Sequence, residues 1–451
     1  MVPPPGPGPL ARPGRRSRPP RRGARVSVET RVLERVVLVG AYLKGEAPRR
    51  AKASLEELVR LTETAGGVVA ETLTQRVERF HPGTLIGKGK IQEVAEAALR
   101  HRARTIIFDS DLSPAQQKQL EGELKTKIID RTRLILDIFA QRARTREGEL
   151  QVEHAQLSYM LPRLTGSWRG FSQQVGGIGT RGPGERKLEY ERRHISRRIE
   201  HLKGEIGRVK RQRAVQRRRR LSIPVPSVAI LGYTNVGKSS LLNCLTRTKA
   251  VYADDKLFAT LDPTTRRVRL PEGGWAVFTD TVGFISNLPT ALIAAFRSTL
   301  EEVLEADCLL HVVDASSPDR EDQAATALAV LKDLGAESAP TLTVYNKTDK
   351  LSEPERRSLA GAPGSVLVSA QTGEGIERML EGVQEVLNRR WLLRELAVDP
   401  GEGRLLAEIH RCAQVLGQRQ DGKRWVLRMR VTPENFSRFM HRADLLDSEG
   451  R

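Results

Sequence analysis

The feature that most constrains this chain is a run of residues, Gly232, Tyr233, Thr234, Asn235, Val236, Gly237, Lys238 and Ser239, between an apolar stretch (Val228 to Leu231) and a helical one (Ser240 to Leu245). Strand, glycine-rich loop and helix in that order are what a phosphate-binding loop requires. The glycines let backbone N–H groups turn inward around phosphate oxygens, Lys238 places a point charge on them, and Ser239 offers a hydroxyl to Mg²⁺. Four further segments follow in order. Phe258, Ala259, Thr260, Leu261 and Asp262 lie where a switch loop closes on the γ-phosphate, with Thr260 completing the metal shell beside Ser239. Asp280, Thr281, Val282 and Gly283 follow a strand from Trp275 to Thr279; Asp280 can hold the metal through water, and Gly283 leaves its N–H for the γ-phosphate.

The last two segments choose the base. Asn346, Lys347, Thr348 and Asp349 follow the apolar run Thr341 to Tyr345, and Ser369, Ala370 and Gln371 follow Val366 to Val368. A carboxylate at Asp349 only accepts hydrogen bonds, so it matches guanine's two adjacent donors and would stay unsatisfied against adenine. Asn346 ties neighbouring loops, the Lys347 stem covers the ring, and the Ala370 N–H reaches the guanine carbonyl. Any one segment alone is an ordinary strand-to-helix loop; the ordered set implies a guanine-nucleotide switch with GTP as substrate and Mg²⁺ as cofactor. The hydrolytic residues are Lys238, Thr260, Asp280 and Gly283, followed by Phe284 where many such switches carry a glutamine that orients the attacking water. A phenyl ring cannot do that by hydrogen bonding, so slow intrinsic turnover, stimulated by a partner, is expected.

The fold class expected is multidomain α/β. At 451 residues the chain is too long for one ordinary core. Residues 1–28 contain no acid and are crowded with Pro, Gly and Arg, a composition that cannot build a core; a transit peptide is the alternative, although its prolines spoil an amphipathic helix. Residues 29–148 alternate strand-like and helix-like runs, with strands at Arg35 to Ala41, Val68 to Leu73 and Thr105 to Asp109, a capping box at Ser54 to Glu57 closed by Gly66 and Gly67, and a capped helix at Ser113-Pro114. A small α/β domain with a parallel sheet is expected there. Its Gly87-Lys88-Gly89-Lys90 is either an anion site at a helix start or a flexible basic turn.

Residues 149–222 read as an antiparallel helical hairpin. Ile195, Ile199, Leu202, Ile206 and Val209 alternate steps of four and three, and Leu150, Leu157, Leu161 and Leu164 supply the facing arm, with a kink expected at Pro162. Its outer face carries Arg192, Arg193, Arg197, Arg198, Lys210, Arg211 and Arg217 to Arg220. The tip holds Trp168, Arg169, Phe171 and Arg181 among glycines, a mixture suited to stacking on bases and pairing with phosphate; the alternative is a solvated surface loop. The phosphate-binding domain spans 223–391. Residues 392–451 read as a small α/β module, with a helix from Leu405 to Leu416, a turn at Asp421-Gly422, a strand from Trp425 to Val431 and a last helix after Thr432-Pro433.

A net charge of +20 and pI near 10.3 point to a polyanion, with nucleic acid first and peripheral contact with an acidic membrane second. Cys244, Cys308 and Cys412 stand singly, without metal or disulfide spacing, as in a reducing compartment. No stretch is long and apolar enough to cross a bilayer.

The segments Gly232 to Ser239, Leu257 to Thr265 and Asp280 to Ser286, with the hairpin loop Gly177 to Arg186, resemble those of the HflX family of translational GTPases. The likeness covers about residues 29 to 390, weakens over the last sixty and is absent from the Pro/Arg tail. It implies a cytoplasmic GTPase that binds the large ribosomal subunit and its rRNA and, with GTP, splits stalled ribosomes under stress; a monomer is expected, although the sequence itself is silent on oligomeric state. The hairpin tip would lie near the peptidyl-transferase region, and ribosome-stimulated hydrolysis would permit release. The family's N-terminal domain is also credited with ATP use and RNA unwinding, but residues 29–148 carry no helicase motif. Two other readings are a large-subunit assembly GTPase, as in the Obg and Era families, and an RNA-binding module that uses GTP only as a conformational ligand.

Overall fold

The computed structural model describes residues 34–164, 183–220, 225–246, 257–258, 263–286, 301–336, 338–361 and 364–449. Three sheets organise them, in the multidomain α/β class expected.

The first sheet has the order β2-β1-β3-β4, formed by β1 (Glu34–Leu43), β2 (Gly67–Val77), β3 (Thr105–Phe108) and β4 (Lys127–Asp130), all parallel. Residues 36–42 of β1 are buried without a break; parallel sheets are covered on both faces, so such strands read as continuous apolar runs. Val37, Val39 and Ala41 face the α2 (Lys88–His101) and α3 (Pro114–Leu124) side, and Val36 and Leu38 face α1 (Pro48–Thr64) and α4 (Arg131–Arg142). Ser113 caps α3 as expected, its hydroxyl accepting from the Gln116 N–H, and the Gln116 side chain completes a capping box that the sequence reading did not include. Ser54 does not cap α1. Pro48 starts that helix two turns earlier, its fixed φ and missing N–H suiting the first position, and the Ser54 hydroxyl instead donates to Asp109 Oδ2 at 2.6 Å.

The second sheet has the order β10-β9-β8-β5-β7-β6. Its strands are β5 (Ser227–Gly232), β6 (Thr264–Arg269), β7 (Trp275–Asp280), β8 (Cys308–Asp314), β9 (Thr341–Asn346) and β10 (Ser365–Leu367), with only β6 antiparallel. Helix α7 (Lys238–Thr246) follows β5. The third sheet is antiparallel, β11 (Leu392–Val398), β13 (Arg424–Val431) and β12 (Gln414–Asp421) in that order. The helix expected over Leu405 to Leu416 ends at Cys412, because Gln414 and Val415 pair with Arg430 and Met429 of β13; the ladder overrides a helical pattern.

Helices α5 (Arg146–Leu164) and α6 (Pro183–Arg220) form the antiparallel pair, with Pro162 in the last turn of α5. Ile199 and Leu202 are buried, as are Leu150, Val152 and Ala155, whereas Ile195, Ile206 and Val209 are half-buried. Arg198 grips Glu153 with two bonds of 2.8 Å, and Arg146 meets Glu205 at 3.3 Å, which fixes the direction. The far end of α5 is tied to the first sheet. Tyr159 donates to Asp130 at 2.7 Å, and Arg163 stacks on Tyr159 while donating to Asp130 and to the Leu112 carbonyl. Arg192, Arg193, Arg197, Lys210 and Arg211 are exposed. The tip residues Trp168, Arg169, Phe171 and Arg181 lie outside the described residues.

Candidate functional site

Two carbonyls and one lysine organise the loop between β5 and α7. The backbone at Gly232 (φ 149°) and Gly237 (φ 92°) turns left-handed, and a Cβ at either would lie 2.2 Å from the Val312 carbonyl or 2.3 Å from Asn346 Nδ2. Neither position has room for another residue. Lys238 is buried and donates to the carbonyls of Tyr233 (2.7 Å) and Gly232 (3.2 Å). Burial pushes its ammonium down to about 8, and Asp280 opposes that shift. Thr234 Oγ1 is buried and has no hydrogen-bond partner among the described residues, a polar orphan that a phosphate oxygen would satisfy.

Ser239 Oγ donates to Asp280 Oδ2 at 2.6 Å, and Asp280 is fully buried. A hydroxyl and a carboxylate are hard oxygen donors, the chemistry Mg²⁺ prefers, and that ion commonly takes its remaining ligands from phosphate and water. The donor set therefore fits the ion. Gly283 lies so close that a Cβ there would be 2.9 Å from Lys238 Nζ.

The base end is wired through Asn346. Its Nδ2 donates to the Val236 carbonyl at 2.8 Å and its Oδ1 accepts the Ala370 N–H at 3.0 Å, so Asn346 holds the phosphate loop to the Ser369-Ala370 turn. The Ala370 N–H, assigned above to the guanine carbonyl, is thus directed at Asn346. Lys347 takes a left-handed φ of 64° and pairs with Asp314 at 2.7 Å while donating to the Asn235 carbonyl. Ser369 Oγ donates to Asp349 Oδ1 at 2.6 Å, fixing that carboxylate. Thr348 is buried beside it, and Gln371 is exposed.

Several expected residues face elsewhere. The Phe284 ring is buried with Leu231, Val303, Leu309 and Val330 in the core under the sheet, away from any water-orienting position. Its contribution is backbone: its N–H donates to the Gly232 carbonyl (3.1 Å) and its carbonyl accepts from Thr234 N–H (2.7 Å), a one-residue parallel bridge between the segment after Gly283 and the phosphate loop. Thr281 donates to the Ile230 carbonyl, and Val282 packs into the core of the first sheet with Ile285, Leu257 and Phe258. Phe258 meets Phe139 edge to face, centroids 4.6 Å apart, and Leu257 N–H donates to Thr64 Oγ1. Ala259, Thr260, Leu261 and Asp262 lie outside the described residues.

The sequence did not point to the partners of Tyr233. Its hydroxyl meets Glu57 Oε1 and Ser286, and Arg131 pairs with Glu57 and Asp109 behind it. Glu57 lies 176 residues from Tyr233; the one hint available was a charged pair, Asp130-Arg131, directly after the apolar Ile128-Ile129.

Residues 52–140 match the model of the GTP-binding GTPase N-terminal region, 142–220 the GTP-binding GTPase middle region and 227–347 the 50S ribosome-binding GTPase. GTPase HflX of Lacrimispora saccharolytica is 46% identical over 391 residues, 86% of this chain and 92% of that protein. GTPase HflX of Escherichia coli K12 is 42% identical over 380 residues, 84% and 88% of the two chains. Among solved structures, a GTP-binding protein from the archaeon Sulfolobus solfataricus in complex with GDP matches at 23% identity, covering 79% of this chain and 99% of that one, with a TM-score of 0.43.

Proposed function

Given that the chain belongs to the HflX family of GTPases and is itself a GTPase, we propose that it acts on the ribosome, binding the large subunit and its rRNA and, in the GTP state, parting stalled ribosomes into subunits. Ribosome-stimulated hydrolysis then releases it. The observation that carries this reading is the union of a guanine-nucleotide site with a basic antiparallel hairpin whose second arm has 38 residues, roughly 57 Å at the α-helical rise. That reach, with exposed arginines on its outer face, suits penetration into folded RNA rather than contact with a flat surface. The matched description of residues 227–347 as a 50S ribosome-binding GTPase supports the same partner.

In this reading Lys238 and the loop N–H groups hold the β- and γ-phosphates, Ser239 and Thr260 ligate Mg²⁺, and Asp280 holds it through water. When bound, the ion neutralises charge on the phosphates. Gly283 places its N–H toward the γ-phosphate, and Asp349 reads guanine. Asn346 works from behind, joining the two ends. The protein works as a monomer in the cytoplasm, with the domain limits given above and Trp168, Arg169, Phe171 and Arg181 as its rRNA contacts.

The test is sedimentation of intact ribosomes with the protein and a non-hydrolysable GTP analogue, alongside GTP turnover with and without ribosomes. Loss of the intact-ribosome peak together with stimulated turnover is the expected result. Stimulation with an unchanged peak would replace splitting by an assembly role, and no stimulation would remove the ribosome as partner.

A further inference from the structure

We infer that Glu57, held by Arg131, is a positioning residue for GTP hydrolysis that acts from the first sheet's domain through the Tyr233 hydroxyl on the backbone just beyond Gly283. The inference rests on the chain's GTPase activity and not on the ribosomal reading.

The geometry is a closed set of bonds. The Tyr233 O–H donates to Glu57 Oε1, and its oxygen accepts from the Ser286 N–H at 2.7 Å and meets Ser286 Oγ at 2.6 Å. Arg131 pairs with Glu57 through Nη2 and with Asp109 through Nη1 at 2.7 Å, and its Nη2 also donates to the Ser286 carbonyl at 3.3 Å. Ser54 and Tyr42 complete the far side by donating to Asp109 Oδ2 at 2.6 and 3.0 Å. Both backbone groups of Ser286 are therefore captured, the N–H by Tyr233 and the carbonyl by Arg131. Two residues earlier, both backbone groups of Phe284 are captured by the phosphate loop. Gly283 is pinned between its strand and these two clamped residues, and this is what keeps it against Lys238.

The charges at this spot need a reason. Arg131 and Glu57 are 2% and 5% exposed, and buried ion pairs are weak contributors to stability, often replaceable by apolar residues without loss. A carboxylate does what an apolar residue cannot: it fixes the direction of a phenol O–H, leaving the phenol oxygen's lone pairs for Ser286. That matters in a chain whose Phe284 ring is turned into the core. With a phenylalanine rather than a glutamine at position 284, the rate leans on backbone placement around Gly283, and small misplacements are expensive.

The same groups line a cavity of about 1010 Å³ between the end of β1 and the helix Arg320–Leu334, with Tyr42, Ser54, Asp109, Tyr233 and Ser286 on its wall. Water from that side can solvate a site emptied by mutation, so removal of one hydroxyl leaves the fold intact while freeing Ser286.

Full-length Tyr233→Phe, Glu57→Gln and the double variant are compared by single-turnover GTP hydrolysis, affinity for a fluorescent GDP and thermal unfolding. Each single change is expected to slow hydrolysis roughly tenfold, with GDP affinity within about twofold because the phosphate loop and base site keep their own bonds. The double variant is expected to lose much less than the product of the two single losses, since Glu57 and the Tyr233 hydroxyl act on the same residue, Ser286, directly and through Arg131. Rates equal to or above wild type in Tyr233→Phe, or a double variant that loses the product of the two single losses, would overturn the inference. Wild-type hydrolysis measured alongside tests the activity itself, and the variant-to-wild-type ratios test the clamp.

Discussion

The two ends of the nucleotide site are built differently. At the base end, the side-chain partners of Asn346, Lys347, Asp349 and Ser369 among the described residues all lie around the second sheet: Val236, Asn235, Asp314, Ala370, Thr372 and one another. At the phosphate end, Leu257, Phe258, Val282 and Ile285 pack into the core of the first sheet, and Tyr233 and Ser286 bond to Glu57 and Arg131. In the proposed reading, recognition of guanine is a local property, resting on one carboxylate and a short loop. Response to the γ-phosphate would then be shared between two sheets, because the segment near Gly283 packs on the N-terminal sheet as well.

The sharpest way to separate the ends is Lys238→Ala. It leaves the base loops untouched, and hydrolysis is expected to fall about 1,000-fold, checked by single-turnover kinetics; retention of near wild-type turnover would mean that the base end positions the phosphates. Phe258→Ala tests the docking of the switch segment on the first sheet. A buried Phe lost from a core costs about 3–5 kcal/mol, read as a lower urea midpoint, and a change under about 1 kcal/mol would show that the packing with Phe139 is not maintained in solution. Asp349→Asn is expected to weaken GTP about 100-fold and favour xanthosine nucleotides, because an amide donor replaces an acceptor, with no change in unfolding.

The smallest effect is one of pH. Lys238 is pushed from 10.5 down to about 8 in the folded chain by burial. A folded value below the unfolded one means that the unfolded chain binds more protons, so the cost of burying the charge is present below pH 8 and relieved between about 8 and 10.5. Stability of the nucleotide-free protein from this group should rise across that window. Nucleotide affinity should move the other way, falling by up to about tenfold per pH unit above 8, because phosphate prefers the ammonium; titration of fluorescent GDP from pH 7 to 9.5 checks it.

What the sequence could reveal follows the same division. The loop from Gly232 to Ser239 was readable because steric demands at Gly232 and Gly237 and the chemistry of Lys238 and Ser239 are set by neighbours in sequence. Asp280 and Asp349 stood out for the same reason, the first as the last residue of β7 and the second in the turn just after β9, each following an apolar run. Ser54 was misread as a cap because Pro48 outcompetes it for the helix start and Asp109 claims its hydroxyl. Leu416 was misread as helical because its strand is made by partners on β13. At Phe284 the sequence showed a phenyl ring in place of a glutamine, but nothing local said that the ring turns into the core or that its backbone bridges Gly232 and Thr234. Contacts of long sequence separation, Tyr233 with Glu57 above all, have no periodic signature.

The most direct test of shared switching against local recognition is hydrogen–deuterium exchange of the full chain with GDP and with a non-hydrolysable GTP analogue. Peptides covering 54–64 and 131–139, around the first sheet, are expected to change protection with the γ-phosphate, while those covering 346–350 and 369–372 are alike in both states. Changes confined to 232–286, with the first sheet's peptides identical, would contradict shared switching.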